Sequence, residues 1–193
     1  MTVPLVEDGR VRCAWAGQSA DYVAYHDEEW GRQLRGDRAL FERLSLEAFQ
    51  SGLAWITILR KREAFRAAFA GFEPATVARF DDADVQRLLA DPGIVRNRAK
   101  IQATIANARA ALDLDGSLSD LLWSFAPDAL RPAPRTPADV PAVTPESTAL
   151  AKELKRRGFR FVGPTTAYAL MQATGMVDDH LAGCWVRGER REA

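Results

Sequence analysis

Cysteine and histidine each occur only twice in this chain, and they stand as two pairs near opposite ends, Cys13 with His26 and His180 with Cys184. Two thiols and two imidazoles make the donor set of a four-coordinate zinc ion, and four protein ligands leave no position open for substrate or water. If all four meet, the ion joins the two ends of the sequence, and every intervening element has to fit inside the closed loop. The His180-x3-Cys184 spacing suits one helical turn or a tight loop, whereas twelve residues separate Cys13 from His26. The alternative is two buried thiols and two unrelated histidines, since free cysteine is among the most buried residue types. The long interval between the pairs is also unlike the compact spacing of a zinc finger. A chain of 193 residues can bury a sizeable core unaided, so one such ion per chain acts as a staple.

Formal net charge is zero, which argues against a protein that coats nucleic acid indiscriminately but not against a local basic face. Basic residues gather at Arg60-Lys61-Arg62 with Arg66, at Arg96, Arg98 and Lys100, and at Lys152, Lys155, Arg156, Arg157 and Arg160. Taken singly, each cluster also reads as a solvated helix face. Two cysteines suit a reducing compartment better than a disulfide framework. With no signal-peptide pattern and no membrane-length apolar run, a cytoplasmic protein without membrane contact is expected.

Apolar residues recur at helical spacing along most of the chain. Helices are expected over Asp37–Ser51, Ala54–Ala70, Pro74–Phe80, Ala83–Ala90, Arg98–Leu114, Ser117–Phe125, Pro145–Arg157 and Pro164–Thr174, many opened by Ser, Asp, Thr or Pro. Strand alternation flanked by hairpin signals is missing, so the fold class is all-α. Residues 1–193 read as one domain. Six of the ten prolines lie between Pro127 and Pro145, an extended connector able to divide two helical lobes.

One carboxylate falls on the wrong face. On a wheel with Leu40 at the origin, Leu44, Ala48 and Ser51 lie at roughly +40°, +80° and +20°, and Glu47 at roughly −20°. Glu42 and Arg43 are expected to project as surface charges. A glutamate inside an apolar stripe is costly unless paired or hydrogen-bonded. It serves either as a structural ion pair or cap, or as a group aimed into a pocket. Trp15, Tyr22, Tyr25, Trp30 and Trp55 crowd the same part of the sequence. They are either core packing or a cage for a flat or cationic ligand.

The segment Leu154-Lys-Arg-Arg-Gly158-Phe-Arg-Phe-Val-Gly163-Pro-Thr165-Thr166 links two helices. Gly163 leaves the backbone unhindered at a helix start, where free N–H groups favour a phosphate oxygen. Thr165 and Thr166 add donors, and Gly158 permits the turn. Such a unit can grip a DNA strand without reading its sequence. The plainer reading is an ordinary helix–helix corner.

Taken together, these motifs resemble the 3-methyladenine DNA glycosylase I family of base-excision repair. The resemblance rests on Arg12-Cys-Ala-Trp15, Tyr25-His-Asp-Glu-Glu-Trp-Gly31, Leu46-Glu47, Gln50-Ser-Gly-Leu-Ala-Trp-Ile-Thr57, Gly93-Ile-Val-Arg96, Lys100-Ile101, Lys155 to Gly163, Asp179-His180 and Gly183-Cys184. It spans about Arg12 to Cys184. It implies an all-α helix-hairpin-helix DNA glycosylase fold whose termini are joined by a structural Zn2+ held by Cys13, His26, His180 and Cys184. It places Glu47, Tyr25 and Trp55 at base-recognition positions, with Trp15 and Tyr22 nearby. Glu47 is the catalytic candidate, first for recognition and second for stabilising the sugar cation or positioning water. Gly158, Gly163, Thr165 and Thr166 are the DNA-binding candidates. The implied partner is double-stranded DNA carrying alkylated bases, and the implied reaction is hydrolytic release of 3-methyladenine to leave an abasic site, without strand cleavage; a monomer is the default expectation for a protein that scans DNA. Ser51 and Ala54 depart from the family pattern, as a swap of small residues. Asp178 and Asp179 have no assigned role beyond support or capping next to His180. Two other readings remain. A DNA-damage binding module would bind without base release, and a zinc hydrolase would need an open metal position.

Overall fold

The computed structural model describes residues 8–129 and 131–189. Among the described residues ten α-helices run in the order α1 Ala20–Glu28, α2 Asp37–Gln50, α3 Trp55–Ala68, α4 Pro74–Val77, α5 Asp82–Ala90, α6 Arg98–Leu112, α7 Leu118–Trp123, α8 Pro145–Arg156, α9 Pro164–Ala173 and α10 Trp185–Glu189. Short 3-10 turns cover Ala14–Gln18, Ala70–Phe72 and Pro137–Asp139. No strand occurs among the described residues, and none of their helices is long and apolar enough to cross a membrane.

Local chemistry sets most helix starts. Asp81 and Asp84 exchange hydrogen bonds in a capping box before α5, and Thr144 and Ser147 do the same before α8. Asn97 caps α6 and Ser117 caps α7. Helix α2 begins differently. Its first residue, Asp37, accepts from the Ser119 backbone N–H at 2.9 Å, and the Gly36 N–H donates to Ser119 Oγ at 3.3 Å. The starts of α2 and α7 therefore satisfy one another.

Helix α2 is central. Leu40, Phe41, Leu44, Leu46 and Phe49 are buried on several of its faces, against Ile58 and Phe65 of α3, Ile101 and Ile105 of α6, and Leu170 and Met171 of α9. A phenylalanine group, Phe49, Phe65, Phe69 and Phe72, continues this core, with ring centroids 4.7 to 6.3 Å apart.

Three features differ from the sequence expectation. Residues 14–18 and α1 are helical although the aromatic run hides any 3.6-residue period; Ser19 caps α1 through the Tyr22 N–H. The proline-rich stretch carries a single helical turn at Pro137–Asp139, capped by Thr136 and Asp139. It is tied down, because Pro134 O accepts from the Ala182 N–H at 2.8 Å and Arg131 reaches Asp179 at 2.9 Å. Arg43 and Lys100 point inward, not to solvent. The Lys100 ammonium donates to the carbonyls of Phe49 and Ser51 at 2.9 and 2.6 Å, satisfying the end of α2.

One close approach sets the spacing of the N- and C-terminal parts. Gly175 follows α9 with φ +75°, and a Cβ there would lie 2.7 Å from Gly31 O and 2.9 Å from Gln33 N. Leu34 N–H donates to Thr174 O at 3.1 Å beside it. Gly175→Ala is therefore expected to destabilise the protein by about 2 kcal/mol or more, read as a lower denaturant midpoint in urea.

Candidate functional site

Cys13, His26, His180 and Cys184 converge, all four buried, with ligand atoms within 4.8 Å of one another. Cys184 Sγ lies 3.4 Å from His26 Nε2 and 3.5 Å from His180 Nδ1, and Cys13 Sγ lies 3.8 Å from His180 Nδ1. A tetrahedral ion with metal–sulfur and metal–nitrogen bonds of about 2.3 and 2.0 Å gives sulfur–nitrogen edges of about 3.5 Å. The cluster can thus hold a metal ion, and four protein donors close it to substrate. The two thiols shift in opposite directions. Cys184 is held far below the ordinary thiol range, chiefly by the Cys13 hydrogen bond and then by the histidines, while the same contact pushes Cys13 far up.

Each imidazole has its second nitrogen engaged. His26 Nδ1 meets Asp27 Oδ1 at 2.8 Å, and His180 Nε2 meets Trp30 O at 3.1 Å. Such partners fix the ring and the tautomer that faces the ion. Asp27 is in turn held by Arg12 at 2.7 to 3.0 Å and by the Trp185 indole at 3.3 Å. Asp178 accepts from the His180 backbone N–H and pairs with Arg187, shaping the ligand loop. Asp179 instead turns to α9, accepting from Tyr168 Oη and from Gln172 Nε2.

A cavity of ≈ 270 Å³ opens beside this centre, lined by Trp15, Tyr22, Tyr25, Trp30, Glu47, Gln50, Trp55, Ala169 and Gln172. All five expected pocket residues line one space. Trp15 connects cavity to cluster, with its ring 5.3 Å from His26, 5.6 Å from Tyr22 and 6.2 Å from Tyr25. Tyr25 and Trp55 stand 5.4 Å apart. Tyr22 Oη accepts from the Ile56 N–H at 3.0 Å, so this ring also anchors the start of α3 that presents Trp55. Trp55 Nε1 is buried without a hydrogen-bond partner.

Glu47 is only 5% exposed, and burial raises its pKa to about 7, opposed by the nearby charge of Arg43. Arg43 lies one turn earlier on α2. It donates to Tyr25 Oη at 3.0 Å and reaches Glu29 at 3.4 Å, and Glu29 is gripped by Arg62. Its guanidinium carbon sits 5.3 and 5.5 Å from the Tyr25 and Trp55 ring centroids. Desolvation pushes the Tyr25 hydroxyl above its ordinary range, so it stays protonated.

The expected DNA-contacting residues lie at the corner between α8 and α9, with Thr165 one helical turn before Ala169 of the cavity lining. Gly158 takes φ +91° at the end of α8, and Gly163 stands before α9 with open space where a side chain would project. Thr165 is exposed and Thr166 half-buried in the first turn of α9. Asn107 of α6 holds the hairpin, accepting from the Arg160 N–H at 2.7 Å and donating to Arg160 O at 3.1 Å.

Sequence reasoning missed Gln50, Gln172, Ala169 and Asn107, and misjudged Arg43. Gln50 follows Glu47 by one helical turn, a signal that was available. Gln172 and Asn107 carry no local signal, since only tertiary packing brings them in.

Comparison with known proteins converges. The methyladenine glycosylase family matches residues 15–187. DNA-3-methyladenine glycosylase 1 of Escherichia coli is 47% identical over 177 residues, covering 90% of this chain and 95% of that protein. DNA-3-methyladenine glycosylase of Haemophilus influenzae is 43% identical over 179 residues, covering 90% and 96%. A crystal structure of 3-methyladenine DNA glycosylase I superposes with TM-score 0.87 at 47% identity, covering 90% of this chain and 98% of that one.

Two measurements check this geometry. Cys13→Ser and Cys184→Ser are each expected to reduce bound metal by elemental analysis and to lower Tm, because three donors hold an ion more weakly than four and metal affinity contributes to folding stability. Glu47 carries a pH signature. Its folded pKa, about 7, exceeds the unfolded 4.5, so the unfolded state ionises first as pH rises. The resulting destabilisation is absent below about pH 4.5, grows through the interval and is complete above about pH 7, at about 3 kcal/mol. Glu47→Gln removes it, so its stability is expected to gain on the wild type between pH 5 and 8 in parallel urea titrations.

Proposed function

Because the chain belongs to the methyladenine glycosylase family, we propose that its aromatic cavity receives a damaged base flipped out of duplex DNA. The protein is a DNA-3-methyladenine glycosylase I and removes 3-methyladenine from DNA. One observation carries the finer reading, namely a desolvated carboxylate, Glu47, in a cavity walled by Tyr25, Trp55, Trp15 and Tyr22. Alkylation at N3 makes adenine cationic and hence a good leaving group. Trp55 offers a stacking face, Glu47 accepts from the base amine and faces its positive charge, and Tyr25 offers a hydroxyl. The bond between the base nitrogen and the sugar C1′ breaks, the base leaves with the electron pair as a neutral molecule, and water supplies the oxygen that replaces it. Much of the acceleration comes from interactions realised as the flipped nucleotide reaches the transition state. Beyond recognition, Glu47 stabilises the positive sugar or orients water.

The product is an abasic site in an intact strand. Cleavage of the strand would call for a free amine near the sugar, and Lys100, beneath the end of α2, is engaged with two carbonyls. Two thiols and two imidazoles suit Zn2+, and such an ion supplies structural cross-linking, with chemistry left to the cavity. Gly158, Gly163, Thr165 and Thr166 hold the phosphate backbone of alkylated double-stranded DNA through free N–H groups and hydroxyls. The whole chain acts as a single domain and a monomer, in the cytoplasm.

A base-release assay on methylated DNA tests this. Free 3-methyladenine is expected from the wild type, with losses of about a hundredfold or more for Glu47→Gln and Trp55→Ala. Binding to abasic DNA with no base release would mark a binding module instead. Because ionised Glu47 is the form that meets a cation, kcat/KM is expected to rise with pH through an apparent pKa near 7, and a flat profile from pH 5.5 to 8.5 would rule out that role.

A further inference from the structure

Among the described residues two phenylalanines hold a positive φ, Phe72 at +55° and Phe161 at +57°. A bulky side chain in this region is strained, and the strain persists only where the surroundings impose it. For Phe72 the core does so, since its ring is fully buried and stacks on Phe69 at 5.4 Å. Phe161 lacks that enclosure. It is 43% exposed in the turn between α8 and α9, whereas Phe159 and Val162 on either side of it are buried. The turn is fastened without the Phe161 ring. Asn107 bonds the N–H and the carbonyl of Arg160, and Phe159 and Val162 join the core. Glycine takes this φ at no steric cost. A phenylalanine here therefore costs stability through its backbone and leaves much of its ring in water.

We propose that Phe161 is a DNA-contact residue whose ring lies against the apolar face of a deoxyribose, next to the phosphate that the hairpin holds. This rests on the reading of Gly163, Thr165 and Thr166 as the phosphate-binding group. Phe161 stands two residues before Gly163, a reach of at most about 7 Å along the chain, so the two act on the same or adjoining nucleotides. Gly163, Pro164 and Thr165 are exposed with it. One continuous surface thus has a polar half of N–H groups and hydroxyls and an apolar half made by the ring. A DNA strand offers the same alternation, phosphate and then sugar. Contacts of both kinds carry no base sequence, so this surface sets where the damaged strand runs and leaves the choice of base to the cavity. The strain at Phe161 is then the cost of holding an apolar group outward at a turn whose backbone must also meet a phosphate.

The test measures binding of the full-length protein to a DNA duplex carrying a stable tetrahydrofuran abasic site, by fluorescence anisotropy over a range of salt concentrations, with Tm recorded alongside. Phe161→Gly and Phe161→Ala are each expected to weaken binding about tenfold, the effect of losing the apolar contact of roughly half a ring, and Phe161→Leu to keep most of the affinity. The slope of log Kd against log salt is expected to stay that of the wild type, because no phosphate contact is removed. Phe161→Gly is expected to melt above Phe161→Ala, since only alanine keeps the strain. Unchanged affinity in the glycine and alanine variants would overturn the assignment. A loss accompanied by a shallower salt slope would overturn it too, because the hairpin itself would have moved. Failure of both variants to fold would assign the ring to the fold and have the same consequence. Gly163→Asp separates the ring from the hairpin. A Cβ there meets open space and aspartate is a preferred residue before a helix, so the fold stands, while the carboxylate repels a phosphate. Wild-type affinity in Gly163→Asp would refute phosphate binding by the hairpin. Lost affinity there, with unchanged affinity in the Phe161 variants, would refute the ring contact alone.

Discussion

Everything about the cavity depends on the convergence of Cys13, His26, His180 and Cys184. Cys13 stands just before the Ala14–Gln18 turn and His26 lies on α1, which supplies Tyr22 and Tyr25, and the other two ligands lie in the loop that follows α9. The hydrogen bonds behind them extend the joint. Asp27 holds His26 and is held by Arg12 and Trp185, so the first described residues and α10 are drawn into the same knot. An aromatic wall made from a short, weakly periodic segment gains through this joint a rigidity that its own packing does not supply. The joint shares two aromatics with the cavity: Trp15 touches both His26 and the tyrosines, and Trp30 lines the cavity while its ring lies 4.6 Å from that of His180.

The second organising problem is charge inside a helix. Helix α2 buries Arg43 and Glu47 together and ends over Lys100. Each group meets a different solution. Lys100 satisfies orphan carbonyls at the helix end, Arg43 shares itself between a tyrosine and a glutamate, and Glu47 is left without a close partner at the cavity. An ionisable group held this way lowers stability above its unfolded pKa, and such a cost marks a place where the fold serves chemistry more than cohesion. The unpartnered Trp55 indole N–H lies at the same place.

Much of this was legible beforehand, for reasons that can be stated. Caps and prolines give helix starts within a residue or two because they answer a local need for backbone hydrogen bonds. Glu47 was legible because a wheel exposes a charge inside an apolar stripe. Arg43 was not, although it lies only about 40° further round the same wheel. The Tyr25 and Trp55 rings cover that flank and widen the buried face, and nothing local announces it. The N-terminal helix is not legible because its inward face is made of Tyr22, Tyr25 and His26, polar-tipped groups in place of the aliphatic stripe that marks an amphipathic helix. Asn107 and Gln172 act through partners 53 and 7 residues away, and a polar residue on a helix does not name its partner in advance.

The contact between Gly175 and the Gly31–Gln33 strand of chain has an implication for how such a cavity changes over time. Atoms common to every amino acid make the contact, so it works as a spacer gauge between the front and back of the cavity. Substitutions at Trp15, Tyr22, Gln50 or Gln172 can alter what the cavity accepts while the gauge keeps its width. Lesion range is then free to drift by side-chain replacement alone, and the frame constrains Gly175, where a single methyl group would force the walls apart.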